Sequence, residues 1–240
     1  MQILFLTLLT FVTAIVGTIT GFGISTIMVP VVLLILPLPE TLLLVGVIHW
    51  FGDLWKMLLF KHGIEKKLLI YFGIPGIIAA SLGAMLVVRI PEEIGQKIVG
   101  FILIIYVIFQ YFKPKFELKA NTNTYIFGGL FSGFLAGLTG VGGGALRAVV
   151  LMALNIPKEI YIFTSGVLGA LIDASRISTY FFEGVTINHN LSWGFLAFIP
   201  ASFLGAKVAK KVVNKIPQKE FRTIIIVFLL ILGLKFILFP

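Results

Sequence analysis

The chain contains no cysteine. Disulfides, thiol catalysis and cysteine-ligated metals are therefore excluded. Charge is also scarce. Asp, Glu, Lys and Arg make up 12% of the 240 residues, against roughly 25% in a soluble domain. Histidine occurs three times, as His49, His62 and His189, with no metal-ligand spacing. No phosphate-binding glycine–lysine loop is present, so neither a nucleotide nor any other cofactor is expected.

Hydrophobic residues fill the space that the charges leave. They make up 59% of the chain, and the mean hydropathy is +1.09. Apolar runs of about 20 residues, each long enough to cross a bilayer, recur from end to end. The composition indicates an all-α polytopic membrane protein, with the lipid bilayer as its first partner and no room for a soluble domain. The formal charge of +9 would suggest nucleic-acid binding in a soluble protein. Here the charges sit mostly in short loops, the ordinary bias of cytoplasmic loops, and no nucleic acid is expected. The start, "MQILFLTLLTFVTAIVG", is apolar but lacks a basic leader and a clear cleavage site. It is read as a retained first helix.

Helices are expected over residues 2–20, 24–36, 40–60, 68–89 and 94–112. The polar stretch "KPKFELKANTN" then marks a midpoint, and further helices follow over 124–139, 143–155, 159–182, 192–213 and 221–239. The two halves resemble each other. "GTITGFGISTIMVPVVLL" aligns with "AGLTGVGGGALRAVVLMA", "DLWK" with "DASR", "IPGIIAASLGA" with "IPASFLGA", and "RIPEEIGQKI" with "KIPQKEFRTI". Matches in the same order point to an internal duplication. This divides the chain into a repeat over 1–112, a connecting loop over 113–123 and a second repeat over 124–240.

Basic residues suggest how the repeats are oriented. If 2–36 and 124–155 are each one crossing, lysines and arginines divide without a clear bias. If each is a hairpin that returns to its starting side, every loop lysine and arginine from Lys61 to Arg222 falls on one side, except Arg89 and Lys97. The hairpin arrangement makes each half five segments, inverts the halves and places both termini outside. Each repeat is then a glycine-rich hairpin plus three transmembrane helices. Whether 24–36 and 143–155 fully span or are re-entrant stays open.

Two glycine-rich turns, "TGFGIST" and "TGVGGGA", open short helices at matching positions. Interrupted segments at corresponding places in two halves point to a transporter site. A helix N-terminus offers free N–H groups and partial positive charge, and glycine lets a ligand approach them. Gly21, Gly23, Ser25, Thr26, Thr139, Gly140, Gly142, Gly143, Gly144 and Arg147 are the candidate anion-binding residues. The competing reading is tight helix packing at a sharp turn. Arg147 replaces Met28 of the first half, so its charge is no symmetric packing device. It is a counter-charge for an anion or, alternatively, a structurally paired or snorkelling arginine.

Asp53 with Lys56, and Asp173 with Arg176, are spaced three apart and can neutralise each other. His49 shares the Asp53 face. The pairs read either as structural ion pairs between helices or as a path for a coupling proton or ion through His49, Asp53 and Asp173. Pro75 and Pro200 occupy matching helix positions and are expected to kink their helices.

"AIVGTITGFGISTIMVPVVLL" and "GFLAGLTGVGGGALRAVVLMAL" resemble the paired glycine-rich motifs of the sulfite exporter TauE/SafE family. The resemblance covers essentially the whole chain. It implies a permease in the plasma membrane of a bacterium or archaeon that moves sulfite, organosulfonates or related small sulfur-containing anions. Pro30 follows the first motif as in that family, whereas Val149 stands after the second. Arg147 is read from its own position and not carried over. The expected function is a secondary transporter, not an enzyme. A passive anion channel is the alternative. An intramembrane enzyme would need a histidine near Ser132 or Ser165, and none is indicated. A homodimer is left open.

Overall fold

In lipid, no water is available to hydrogen-bond the backbone, so an apolar chain must satisfy its peptide groups internally. The computed structural model of the protein describes residues 1–20, 23–60, 64, 66–112, 119–152, 158–212 and 218–240, and every regular element among them is a helix. The first half comprises α1 (Gln2–Thr20), α2 (Ser25–Val32), α3 (Leu38–Leu59), α4 (Lys66–Arg89) and α5 (Glu92–Phe112). The second comprises α6 (Thr122–Thr139), α7 (Gly143–Met152), α8 (Lys158–Phe182), α9 (His189–Val212) and α10 (Gln218–Leu238). Helices α1, α3, α4, α8 and α9 are each long and apolar enough to cross a membrane. Exposed apolar stripes, such as Leu4, Leu8 and Val12 on α1 or Ile74, Ile78 and Leu82 on α4, run along them, as a lipid-facing surface requires.

Two elements differ from the sequence expectation. Helix α2 has only eight residues. Pro37 and Pro39 follow closely, and a proline can neither donate to a helix nor leave its predecessor freely helical. The chain turns through 33–36, and Pro37 then caps α3. Near Pro75, α4 carries a π-helical turn over Leu69–Gly73. The widened turn lies where the proline ring would otherwise meet the carbonyl of Tyr71. Its counterpart Pro200 lies inside α9.

Glycine lets α4 and α6 approach closely. Gly129, Gly133 and Gly137 recur every fourth residue on α6, and a Cβ at any of them would overlap the backbone carbonyl of Phe72, Gly76 or Ala80 on α4. Small residues at this spacing let backbones touch in lipid, where dispersion replaces the hydrophobic effect as the packing force.

The pairing of helices repeats between the halves. Helix α4 packs on α6, and its counterpart α9 packs on α1. Helix α3 packs on α8 and α5 on α10, each against its own equivalent. Within the central pair, Gly46 faces Ile177, Trp50 Nε1 donates to the Ala170 carbonyl at 3.1 Å, and Gly166 faces Met57. Rising numbers on α3 meet falling numbers on α8, so these two helices run antiparallel.

Candidate functional site

The α3–α8 seam, with Arg147 of α7 beside it, holds the buried charges found among the described residues. On α3, Gly46, His49, Asp53 and Lys56 recur at helical spacing. On α8, Tyr161, Ser165, Gly169, Asp173, Arg176 and Tyr180 do the same. Each set forms one stripe, and packing the stripes together removes them from lipid. Asp53, Lys56, Asp173, Arg176, His49 and Arg147 are all at most 3% exposed.

The short-range pairs form as their spacing predicts. Lys56 Nζ lies 2.6 Å from Asp53 Oδ1, and Arg176 Nε lies 2.7 Å from Asp173 Oδ1. Tertiary contacts then join them. His49 Nδ1 on α3 lies 3.0 Å from Asp173 Oδ2 on α8, while its Nε2 lies 3.8 Å from Asp53 Oδ1. The Nδ1 contact is close, yet neither His49 nitrogen makes a hydrogen bond among the described residues. Arg147 reaches in from α7. Its NH2 lies 3.7 Å from Asp53 Oδ2, and its Nε donates to Ser165 Oγ at 3.2 Å. Room for Asp53 comes from Gly169, where any Cβ would overlap the Asp53 carboxylate. When "DLWK" is aligned with "DASR", Gly169 stands at the position of His49.

Both glycine turns end at this cluster. Gly23 has φ +84°, its N–H donates to the Gly17 carbonyl at 3.3 Å, and a Cβ on it would overlap His49 Nε2. Gly140 has φ +65° and closes α6 by donating to the Ala136 carbonyl at 3.0 Å. Gly142 has φ +82°, and its carbonyl accepts from Leu146 at 2.9 Å in the first turn of α7. The end of α6 is held from α8. Arg176 NH1 donates to the Ala136 carbonyl at 3.4 Å, and the Tyr180 hydroxyl donates to the Gly137 carbonyl. Helix C-terminal carbonyls carry partial negative charge, so a buried guanidinium stabilises them.

The remaining sequence candidates take different places. Gly143 and Gly144 are buried at the start of α7, and the Ser132 hydroxyl donates to the Gly143 carbonyl at 2.6 Å, bracing α6 against α7. The Thr139 hydroxyl lies 2.9 Å from the Leu135 carbonyl and accepts from the Val141 N–H at 3.2 Å, so its donor is used inside the hairpin. Ser25 and Thr26 are buried at the start of α2. Gly21 lies outside the described residues, as does His62. His189 sits at the exposed start of α9. Sequence reasoning overlooked Tyr161, Thr164 and Tyr180, and weighed Ser165 only as a nucleophile. The polar stripe on α8 was the available signal.

Charge decides what the cluster can hold. The ligand atoms of His49, Asp53 and Asp173 lie within 4.8 Å of one another, close enough for a cation. However, Lys56, Arg147 and Arg176 already outnumber the two carboxylates. Among the described residues, with His49 counted as neutral, one positive charge is left over in this buried site. A further cation there would be repelled, whereas an anion would be attracted. A buried charge costs several kcal/mol unless paired.

These features define a multispanning helical membrane protein with a charged centre where its two halves meet. The sequence model of the family described as sulfite exporter TauE/SafE matches residues 6–236, and the chain belongs to that family. No curated protein and no solved structure matches it. Family membership makes the protein a membrane transporter of the sulfite-exporter type.

Proposed function

We propose that the protein is a secondary permease for small sulfur-containing anions such as sulfite or organosulfonates, working by alternating access between two inverted repeats in the plasma membrane. The observation that carries the reading is the single unbalanced positive charge buried where both glycine turns converge. An anion entering between the turns neutralises it and meets Arg147, whose NH2 has no hydrogen-bond partner among the described residues. The antiparallel run of α3 and α8, equivalent helices of the two halves, supports inversion. The bias of basic loops supports cytoplasmic placement of the 113–123 connection, with both termini outside. His49, touching carboxylates of both halves, is suited to pass a coupling proton between them, since histidine ordinarily titrates near neutrality. The serine environments speak against an intramembrane hydrolase: Ser132 donates to a carbonyl, Ser165 accepts from Arg147, and His49 faces acids.

Flux into proteoliposomes tests the reading. Labelled sulfite or a sulfonate should cross faster than into empty vesicles, and saturably. Arg147→Ala should weaken anion affinity at least about tenfold, the effect of losing a charged hydrogen bond. Flux equal to that of empty vesicles across a panel of sulfur oxyanions would refute the function. Single-channel currents would replace the permease with a passive channel.

A further inference from the structure

One half of the duplicated fold carries polar groups that the other lacks. On α8, Ser165 holds Arg147, and Tyr161 and Thr164 precede it within little more than one turn. The equivalent positions in the first half are Met28 for Arg147, and Thr41, Leu44 and Val45 for the three α8 residues. Met28, Leu44 and Val45 are buried and apolar, and the Thr41 hydroxyl donates to the Leu36 carbonyl at 3.2 Å. The architecture therefore packs at this place without unsatisfied polar groups.

The second half does not. Thr164 is fully buried, and its hydroxyl has no partner among the described residues. The Tyr161 hydroxyl is likewise buried without a partner, and the Arg147 charge acts on it. Arg147 NH2 faces Asp53 at 3.7 Å but makes no hydrogen bond among the described residues, its Nε being fixed by Ser165. A helical threonine ordinarily returns its hydroxyl to a carbonyl of the preceding turn. Buried hydroxyls without partners are rare and each weakens the fold. Unmet hydroxyls on Tyr161 and Thr164, close in sequence on the helix whose Ser165 fixes the guanidinium, therefore call for a ligand rich in acceptors.

We propose that Arg147, Tyr161, Thr164 and Ser165 form an oxyanion subsite between α7 and α8, in which the guanidinium binds the charge and the Tyr161 and Thr164 hydroxyls bind separate oxygens of a sulfite or sulfonate group. This rests on the anion-permease reading and adds to it the residues that recognise oxygen rather than charge alone. Ser165 is a positioning residue: it holds the guanidinium plane through Nε. A monatomic anion would gain from the arginine but has no second oxygen to offer the hydroxyls. The subsite is accordingly selective for oxyanions over halide.

Binding of sulfite, ethanesulfonate and chloride to the full-length protein in nanodiscs tests this, with thermal unfolding measured alongside. Tyr161→Phe and Thr164→Val keep volume and remove only the hydroxyl. Each should weaken sulfite and ethanesulfonate binding about tenfold and leave chloride binding within about twofold, so the oxyanion-to-chloride ratio falls. Leu44→Met, the control in the first half, should leave the ratio unchanged. A purely structural role would lower all affinities together with the unfolding temperature. Unchanged ratios in both variants, with wild-type protein binding sulfite, would overturn the subsite alone. Wild-type protein that binds none of these anions would overturn the permease reading and the subsite with it.

Discussion

Replacing Asp53 with asparagine removes a charge from the centre of the protein while keeping its shape. Asp53 is fully buried; Oδ1 lies 2.6 Å from Lys56 Nζ, and Oδ2 lies 3.7 Å from Arg147 NH2. The variant leaves both cations facing a neutral amide and raises the buried excess from one positive charge to two. Removing one partner of a buried ion pair costs about 3–5 kcal/mol, because the other charge stays behind uncompensated. Asp53→Asn should therefore lose about that much stability in denaturant unfolding of the detergent-solubilised protein. Lys56→Met added to the same chain returns the excess to one charge and should recover most of the loss, a coupling that a double-mutant cycle isolates. Sulfite should act the other way. It should protect Asp53→Asn against unfolding more than it protects the wild type, because binding to the folded state stabilises in proportion to the logarithm of affinity. A single variant within about 1 kcal/mol of wild type, or a double variant no more stable than the single, would refute the charge argument.

Three further outcomes follow from contacts elsewhere. Gly137→Ala puts a methyl group into the Ala80 carbonyl across the α4–α6 seam and should destabilise by about 1–3 kcal/mol; an unchanged unfolding midpoint would mean the seam is looser than described. Gly23→Ala meets both a positive φ and the His49 ring and should cost a similar about 1–3 kcal/mol. Adding His49→Ala should relieve only the steric part, which comparison of the two variants measures. His49→Gln should abolish the stimulation of flux by an imposed proton gradient while sulfite still binds. Stimulation equal to wild type would remove His49 from coupling.

Much of the architecture was legible because lipid leaves a sequence few alternatives. Runs of apolar residues had to be helices, and ten segments were readable with their ends displaced by a few residues. Prolines moved the ends that differ most: Pro37 and Pro39 shorten α2, and Pro75 accompanies the π-turn of α4. The i to i+3 pairs Asp53–Lys56 and Asp173–Arg176 were readable because helical geometry alone brings them together. The contact of His49 with Asp173 was not, since it spans two helices more than 100 residues apart in sequence. Thr139 shows the opposite limit. Its type suits a ligand-binding hydroxyl, but a bond inside the hairpin uses its donor.

By itself, the sequence determined the class: a charge-poor chain with apolar runs from end to end folds as a bundle of membrane helices. It also determined which charges fall within apolar segments and so need burial, because Lys56, Arg147 and Arg176 interrupt such runs. Tertiary structure decided how those charges add up. Packing α3 against α8 and swinging α7 beside them gathers three cations around two carboxylates, and the excess of one appears only when all five are counted at a single place. Helix spacing fixes neighbours one turn apart, whereas the partner across a helix interface depends on which glycines allow two backbones to close.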